Sequence, residues 1–174
     1  MFKLRNAVVP TAVGLALGTL TVSAGLAASG STARGGRVRV YEVYGSLAPN
    51  APGSDVITGA ITDVGSDTQN VAPKINEITL GNGSFEIDTS KLTPVPLVWE
   101  QGPSECSFHT GFTGDVTIVP SSGTGSYAGI TGSVYVIVHT VGTAPLASTG
   151  CDENPNDALG GLSWVKGSGS VSFH

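Results

Sequence analysis

The chain has 174 residues, of which 8 are Lys or Arg and 13 are Asp or Glu, so its formal net charge at pH 7 is −5. A surface with so few basic side chains repels a phosphate backbone, which argues against nucleic acid as a partner. Only 12% of the residues are charged, and Gly, Ser and Thr supply much of the polar surface, as in many extracellular β-proteins.

The N-terminal segment has the features of a secretory signal. Lys3 and Arg5 precede an uncharged stretch, residues 7–24, and small residues follow it. A basic start, an apolar stretch and a small-residue cleavage site together define such a signal. We therefore predict a signal peptide at residues 1–28 and a secreted, extracellular protein.

The apolar part of this segment suits a cleaved signal better than a permanent anchor. Pro10, Gly14 and Gly18 interrupt it, so we expect no stable membrane anchor. After cleavage we predict a flexible leader at residues 29–36 and one β-domain at residues 37–174, which is a normal single-domain length.

Two cysteines, Cys106 and Cys151, follow the predicted signal. Export to an oxidising compartment favours a disulfide between them. The alternatives are two free thiols or a metal site, and a pair this far apart lacks zinc-ligand spacing. In the chain-entropy model, closing a loop of about 45 residues stabilises a fold by about 4 kcal/mol.

Residues 37–44 alternate as a β-strand does. One face carries Val38, Val40, Glu42 and Tyr44. If this face points inward, the Glu42 carboxyl loses hydration, which raises its pKa and suits a general acid or base. Glu42 is therefore the candidate catalytic residue; the alternative is a solvated face or a barrel end.

Turn signals divide the middle of the chain into short segments. We predict a loop at residues 46–54, a strand at 55–63, a polar connection at 65–73, and strands at 74–80 and 84–88. The dipeptide Asn82-Gly83 between the last two strands predicts a hairpin. Its core face would carry Ile78, Leu80, Phe85 and Ile87.

The next two segments differ in their prolines. Pro94 and Pro96 restrict residues 93–100 to an edge strand, because proline cannot donate to a central ladder. Residues 104–114, which include Cys106, are predicted to form a further strand.

A glycine-rich passage, residues 123–132, separates a short strand at 115–119 from a longer one at 134–141. Its first six residues match the dinucleotide fingerprint G-x-G-x-x-G/A, which requires a following helix. Here a β-branched strand follows instead. We therefore interpret the glycines as positions where an antiparallel sheet turns and backbones approach closely.

The strand at residues 134–141 is apolar on both faces. Val134, Val136 and Val138 share one face, and Tyr135, Ile137 and Val141 share the other. We expect the first face to fill the barrel interior. The second face also needs cover, so we expect a loop or a second copy of the chain, in a homo-oligomer, to pack on it.

The C-terminal region is predicted to hold a long loop at residues 142–160 and a last strand at 162–173. The loop carries Cys151 and an acidic run, residues 152–157, which lacks the ligand pattern of a calcium loop. We therefore predict a solvated loop and no metal site. His109, His139 and His174 form no catalytic constellation, and G-x-S-x-G is absent.

About eight short strands without an amphipathic helix indicate an all-β protein. An eight-stranded antiparallel barrel and a β-sandwich both fit this pattern.

The run GTGSYAGITGSVYV resembles the G-x-G-x-[FY]-x-G-x-x-G segment of the allene oxide cyclase and dirigent barrel superfamily. More of the chain is similar to small secreted actinobacterial proteins related to that superfamily, in ITLGNGSFEID, Cys106, Cys151 and GSGSVSF. The resemblance implies a calycin-like, eight-stranded antiparallel barrel with an apolar cavity and no cofactor.

The first strand adds to this resemblance. Val40-Tyr41-Glu42 is similar to the opening strand of the cyclase, in which that Glu belongs to the catalytic site. The chain departs from the cyclase at two positions: Tyr44 replaces an Asn and Ala51 replaces a Pro.

Three functional hypotheses follow. The first is a secreted, disulfide-stapled barrel that binds a small apolar ligand or acts as a scaffold. Its ligand-binding residues would be Val38, Val40, Tyr44, Val134, Val136 and Val138. The second is a cofactor-free isomerase or cyclase with Glu42 in the cavity. The third is an extracellular interaction protein without a cavity function.

Overall fold

The computed structural model describes residues 35–47, 52–148, 150–151 and 158–174. Ten strands occur in this part of the chain: β1 (Gly36–Tyr44), β2 (Ser54–Gly59), β3 (Asp63–Ala72), β4 (Ile75–Leu80), β5 (Gly83–Asp88), β6 (Thr93–Gln101), β7 (Glu105–Ile118), β8 (Ile130–Ala147), β9 (Gly150–Cys151) and β10 (Gly160–Phe173). The helical structure described is a single 3-10 turn, Gly125–Tyr127. None of the described helical structure has the length and apolar character needed to span a bilayer.

Several predicted segments lie outside the described residues. They are the signal peptide, nearly all of the leader and the acidic run at 152–157.

Eight of the strands form a closed antiparallel barrel. In hydrogen-bonding order they are β1, β2, β3, β4, β5, β7, β8 and β10, and β10 pairs with β1 to close the ring. The prediction of an all-β, eight-stranded antiparallel barrel is confirmed, and the closed ring excludes the sandwich alternative. The junctions differ in length, because β7 pairs with β8 along nearly its whole length whereas β5 and β7 share only two register pairs, Ile87 with Ile118 and Asp88 with Thr117.

The two remaining strands lie outside the ring. β6 pairs with the first part of β7, and the short β9 pairs with the end of β8. The predicted edge position of the strand with Pro94 and Pro96 is confirmed, since β6 has no second neighbour among the described strands. The predicted disulfide is also confirmed: Cys106 of β7 is bonded to Cys151 of β9, with the Cα atoms 5.6 Å apart.

The sequence predictions are wrong in two regions. Residues 65–73, predicted to be a polar connection, belong mostly to β3, and the predicted second strand ends at Gly59. The composition of this stretch is typical of turns, but β3 pairs with β2 and β4 on its two edges. These ladder hydrogen bonds, and the hydrogen bonds that Asp67 accepts, outweigh local propensity.

The second error concerns the long loop predicted at residues 142–160. β8 continues to Ala147 and β9 follows it. β8 extends beyond its β-branched run into this region because β7 continues to pair with it as far as Glu105 opposite Pro145. The two strands predicted at 104–114 and 115–119 likewise form one continuous strand, β7.

One end of the barrel, here called the hairpin end, is filled by an apolar core. The predicted Asn-Gly hairpin joins β4 to β5 there, and Ile78 lies opposite Phe85 as expected. Phe85 packs edge-on against Tyr127 of the 3-10 turn, with ring centroids 5.6 Å apart. Tyr127 also donates a hydrogen bond to Asp63. These contacts place the glycine-rich passage across the hairpin.

Two glycines make this close approach feasible. Gly125 has a φ of +56°, and a Cβ there would lie 2.4 Å from the carbonyl oxygen of Asn82. Gly129 has a φ of +74°, and a Cβ there would lie 2.1 Å from the carbonyl oxygen of His174. The interpretation of the motif as a sheet corner is confirmed, since a strand, β8, follows it.

Candidate functional site

A cavity of about 120 Å³ lies inside the barrel, and every strand of the ring contributes to its wall. Most of the wall is apolar: Val38, Val40, Ile57, Ile61, Ile78, Phe85, Ile87, Leu92, Val116, Ile118, Val134, Val136, Val165 and Val171. Inward residues alternate along each strand, so the period of two in the sequence produces this lining directly. The remaining part of the cavity wall is polar.

Three carboxyl side chains form this polar part, which we call the acid cluster: Glu42 of β1, Asp55 of β2 and Asp67 of β3. All three line the cavity, and their side chains are buried, with exposed fractions of 8%, 2% and 1%. Glu42 and Asp55 are direct partners in the β1–β2 register. The cluster therefore arises because three neighbouring strands each point one acidic residue inward at the same level.

Asp67 is the member of the cluster whose hydrogen bonds are satisfied. The Tyr44 hydroxyl donates to its Oδ2 at 2.6 Å, and the Gly53 backbone N–H donates to its Oδ1 at 3.0 Å. The Asn76 amide donates to Oδ2 at 3.3 Å. Asp67 is therefore the acceptor in all three hydrogen bonds.

Glu42 and Asp55 have a different environment. Glu42 Oε1 and both carboxyl oxygens of Asp55 are inaccessible to solvent, and no described group donates a hydrogen bond to them. Buried polar atoms of this kind are rare in folded proteins, because each costs about 1–3 kcal/mol when it has no partner.

Burial and like charges raise the pKa values of these two acids. Burial, the larger cause, and the charges of Asp55 and Asp67 raise the pKa of Glu42 to about 9, against a smaller opposing hydrogen bond from Tyr44. Burial and the charge of Asp67 raise the pKa of Asp55 to about 7. At neutral pH Glu42 is therefore protonated, whereas Asp55 is close to its titration midpoint.

Tyr44 responds to the same environment. Burial, and after it the charge of Glu42, raise the pKa of its phenol above the ordinary value. Its hydroxyl is therefore a hydrogen-bond donor to Asp67 throughout the physiological pH range.

No protein-family model matches the sequence, and the searches of curated proteins and of solved structures returned no match either. The resemblance to the allene oxide cyclase and dirigent superfamily therefore stays a prediction. The site has to be interpreted from its own chemistry.

The residues predicted from sequence to bind a ligand divide into two groups. Val38, Val40, Val134 and Val136 line the cavity beside Glu42. Tyr44 and Val138 lie next to the lining instead, packed in a second apolar cluster around Val116 and Val165. The inward direction of all six is as expected, and their part in ligand binding stays a prediction.

Sequence reasoning missed the other polar members of the site, Asp55, Asp67 and Asn76. Asp55 alternates with the inward Ile57, and Asn76 alternates with Ile78 and Leu80, so both carried a detectable signal. The sequence did not identify Asp67 as an inward-facing residue, because its strand has the composition of a loop. In the described part of the chain, the acid cluster included, no three His, Cys, Asp or Glu residues are arranged to hold a metal ion.

The outer surface of β8 and β10 stays apolar in the single chain. Tyr135, Ile137 and Val141 are exposed, Tyr135 by 50%. Next to them the His139 ring stacks on Trp164, with centroids 5.1 Å apart. The prediction that another copy of the chain covers this face stays a prediction.

Proposed function

We propose that the barrel binds a small, mainly apolar ligand in its interior cavity, with the polar end of the ligand at the acid cluster. The observation that carries the proposal is the combination of an apolar wall with buried oxygens that receive no hydrogen bond. Binding sites for small molecules typically combine such a wall with a few converging polar groups. A purely structural interior would fill these positions with apolar side chains, because unpaired buried acids destabilise a fold.

The volume of the cavity limits the ligand. An engineered apolar cavity of about 150 Å³ binds benzene, so a cavity of about 120 Å³ suits a molecule of about six heavy atoms. A longer ligand would have to place only one end inside.

Export is part of the proposal. The signal-like N-terminus and the disulfide between Cys106 and Cys151 support an extracellular location, since such bonds persist in oxidising compartments. In that setting the chain would encounter small molecules of the medium or of the cell envelope.

Competition for the cavity volume tests ligand binding. Val136→Phe fills the cavity with a ring, whereas Val56→Phe adds the same ring on the exposed outer face. Cyclopentanol and cyclopentylamine titrated into both variants should bind only the Val56→Phe protein, as followed by methyl NMR. Equal binding to the two variants would place the ligand outside the cavity.

A separate experiment, native mass spectrometry of protein purified from culture medium, would identify a co-purifying molecule.

A second candidate function is a cofactor-free isomerase or cyclase. It is favoured by the pairing of Glu42, protonated at neutral pH, with Asp55, whose pKa of about 7 suits a general base. In such an enzyme Glu42 would donate a proton to a substrate oxygen and Asp55 would remove one from carbon. Exchange of the α-protons of cyclopentanone in D₂O, followed by NMR, tests this directly. Loss of exchange in Glu42→Gln but not in the surface variant Glu105→Gln would support it, and no exchange above the buffer rate would remove it.

A further inference from the structure

We infer that the ligand carries a protonated amine, which the acid cluster holds while the apolar wall holds its hydrocarbon part. This inference rests on the proposed function and adds the chemical class of the polar group. It is carried by an imbalance between hydrogen-bond donors and acceptors at the acid cluster.

The acceptors at the site outnumber the donors. Tyr44, Gly53 and Asn76 supply the donor groups, and all three donate to Asp67. Glu42 Oε1 and the two Asp55 oxygens have no hydrogen-bond partner, and once Glu42 gives up its proton all three are acceptor atoms without a donor. Both side chains are more than nine-tenths buried and both line the cavity. A primary ammonium group has three N–H donors and no acceptor, so it complements three such atoms.

The charges at the site point in the same direction. Among the described residues that line the cavity there are three carboxyl groups and no Lys, Arg or His. Buried acids are normally paired with a cation or a metal. No basic side chain among the described lining residues fills this role, so a cationic ligand would complete the pairing.

The acidic oxygens lie close enough together to hold one small group. A Cβ placed on Gly53 would lie 2.3 Å from Glu42 Oε1 and 3.0 Å from Asp67 Oδ1, so both oxygens border the same small volume. Asp55 lies directly across the β1–β2 ladder from Glu42, and cross-strand partners have Cβ atoms about 5 Å apart. Gly53 has no side chain, so its backbone approaches both oxygens without a clash.

A cationic ligand also makes a distinct prediction for pH. The titratable groups facing the site are Glu42 and Tyr44 from β1, Asp55 from β2 and Asp67 from β3; β4 contributes the neutral Asn76, and the lining residues of β5, β7, β8 and β10 are apolar. An ammonium ion bound beside Glu42 favours its ionised form, so the carboxyl proton is released to the buffer on binding. Amine affinity should therefore rise between pH 6 and pH 9, whereas the affinity of a neutral ligand should not.

Calorimetric titration with three ligands of one shape tests the inference: cyclopentylamine, cyclopentanol and cyclopentanone. We expect the amine to bind about tenfold or more tightly than the alcohol at pH 8, because charge-assisted hydrogen bonds are the stronger kind. Buffers of different ionisation enthalpy should report the release of a proton with the amine alone. The selectivity for the amine should fall in Glu42→Gln and in Asp55→Asn, and be kept in the exposed controls Glu105→Gln and Asp115→Asn.

The outcomes separate the inference from the proposed function. Equal or tighter binding of the alcohol or ketone, without proton release, would contradict the inference that the ligand is an amine. It would still agree with the proposed function, as a cavity for a neutral ligand. If none of the three compounds binds, both the amine inference and the proposed ligand-binding function are contradicted. Amine binding that survives the Val136→Phe filling of the cavity would place the amine on the surface and overturn the inference as well. Circular dichroism of each variant checks that the fold is kept.

Discussion

Two aspartates of neighbouring strands, Asp63 of β3 and Asp55 of β2, lie two register positions apart and in opposite chemical situations. Asp63, at the hairpin end, accepts hydrogen bonds from Tyr127, from the Val64 N–H and from the backbone and side chain of Asn82. Asp55, at the acid cluster, accepts none from any described group. Asp63 therefore stabilises the fold through several hydrogen bonds, whereas Asp55 has acceptor atoms without a donor.

The pKa shifts follow this difference. Partial burial by itself would raise the pKa of Asp63, but the hydrogen bonds from Tyr127, Val64 and Asn82 outweigh it and lower the pKa. Burial and the nearby charge of Asp67 raise the pKa of Asp55 to about 7. Asp55 therefore differs from Asp63 in two respects: it is more deeply buried, and no described group donates a hydrogen bond to it.

The largest expected effect is a loss of stability with rising pH that originates at the acid cluster. The folded pKa values of Glu42 and Asp55, about 9 and about 7, exceed the ordinary values of 4.5 and 3.8 that apply to the unfolded chain. Their contribution is fully present below the unfolded values and is lost as the pH rises through the folded ones. Between pH 5 and pH 9 the free energy of unfolding should fall by on the order of 5 kcal/mol, at about 1.4 kcal/mol per pKa unit.

Urea denaturation at a series of pH values measures this slope. Glu42→Gln and Asp55→Asn should each flatten it, because each removes a group that takes up protons on folding. The exposed Glu105→Gln should leave it unchanged. A wild-type profile that is flat from pH 5 to pH 9 would show that the cluster is hydrated, and the contrast between Asp63 and Asp55 would disappear.

The next largest expected effect is a difference in stability between the Gly129→Ala and Gly53→Ala variants. Gly129→Ala forces a side chain into a φ of +74° and against the backbone of His174, so we expect a loss of about 3 kcal/mol. Gly53→Ala meets the flexible end of Glu42 instead, so it should cost less stability while abolishing ligand binding. Gly160→Ala, which meets nothing within 4 Å, is the matched control. Thermal and urea unfolding measure all three, and equal tolerance of Gly129→Ala and Gly160→Ala would contradict the sheet-corner geometry.

The smallest expected effect is that an Asp→Asn substitution changes the free energy of unfolding in opposite directions at positions 63 and 55. Asp63→Asn replaces an acceptor of several hydrogen bonds and should destabilise the fold by about 1 kcal/mol. Asp55→Asn removes an unpaired buried acid and should stabilise it by a similar amount at pH 8. The difference in urea midpoint between the two variants checks the sign. Destabilisation by both would mean that Asp55 has a structural partner at neutral pH.

The hairpin end was largely predictable from the sequence, whereas the acid cluster was not. Asn82-Gly83 specifies its turn locally, and the alternation of Val38, Val40 and Glu42 identifies the inward face of β1. The cluster depends on the register of three strands, which places Asp55 opposite Glu42. Register between strands is a non-local property, and the turn-like composition around Asp67 concealed the third acid.

The short junction between β5 and β7 has a consequence for the kinetics of the barrel. Two register pairs close the ring there, fewer than at any other junction between described ring strands. Because so few ladder hydrogen bonds join β5 to β7, we expect the wall to open more readily here than at the β7–β8 ladder. Amide hydrogens of Ile87 and Ile118 should therefore exchange with deuterium before those of the β7–β8 ladder. Opening at this junction would expose an interior that Leu92 and Val116 help to enclose, which gives a small molecule a route through the wall.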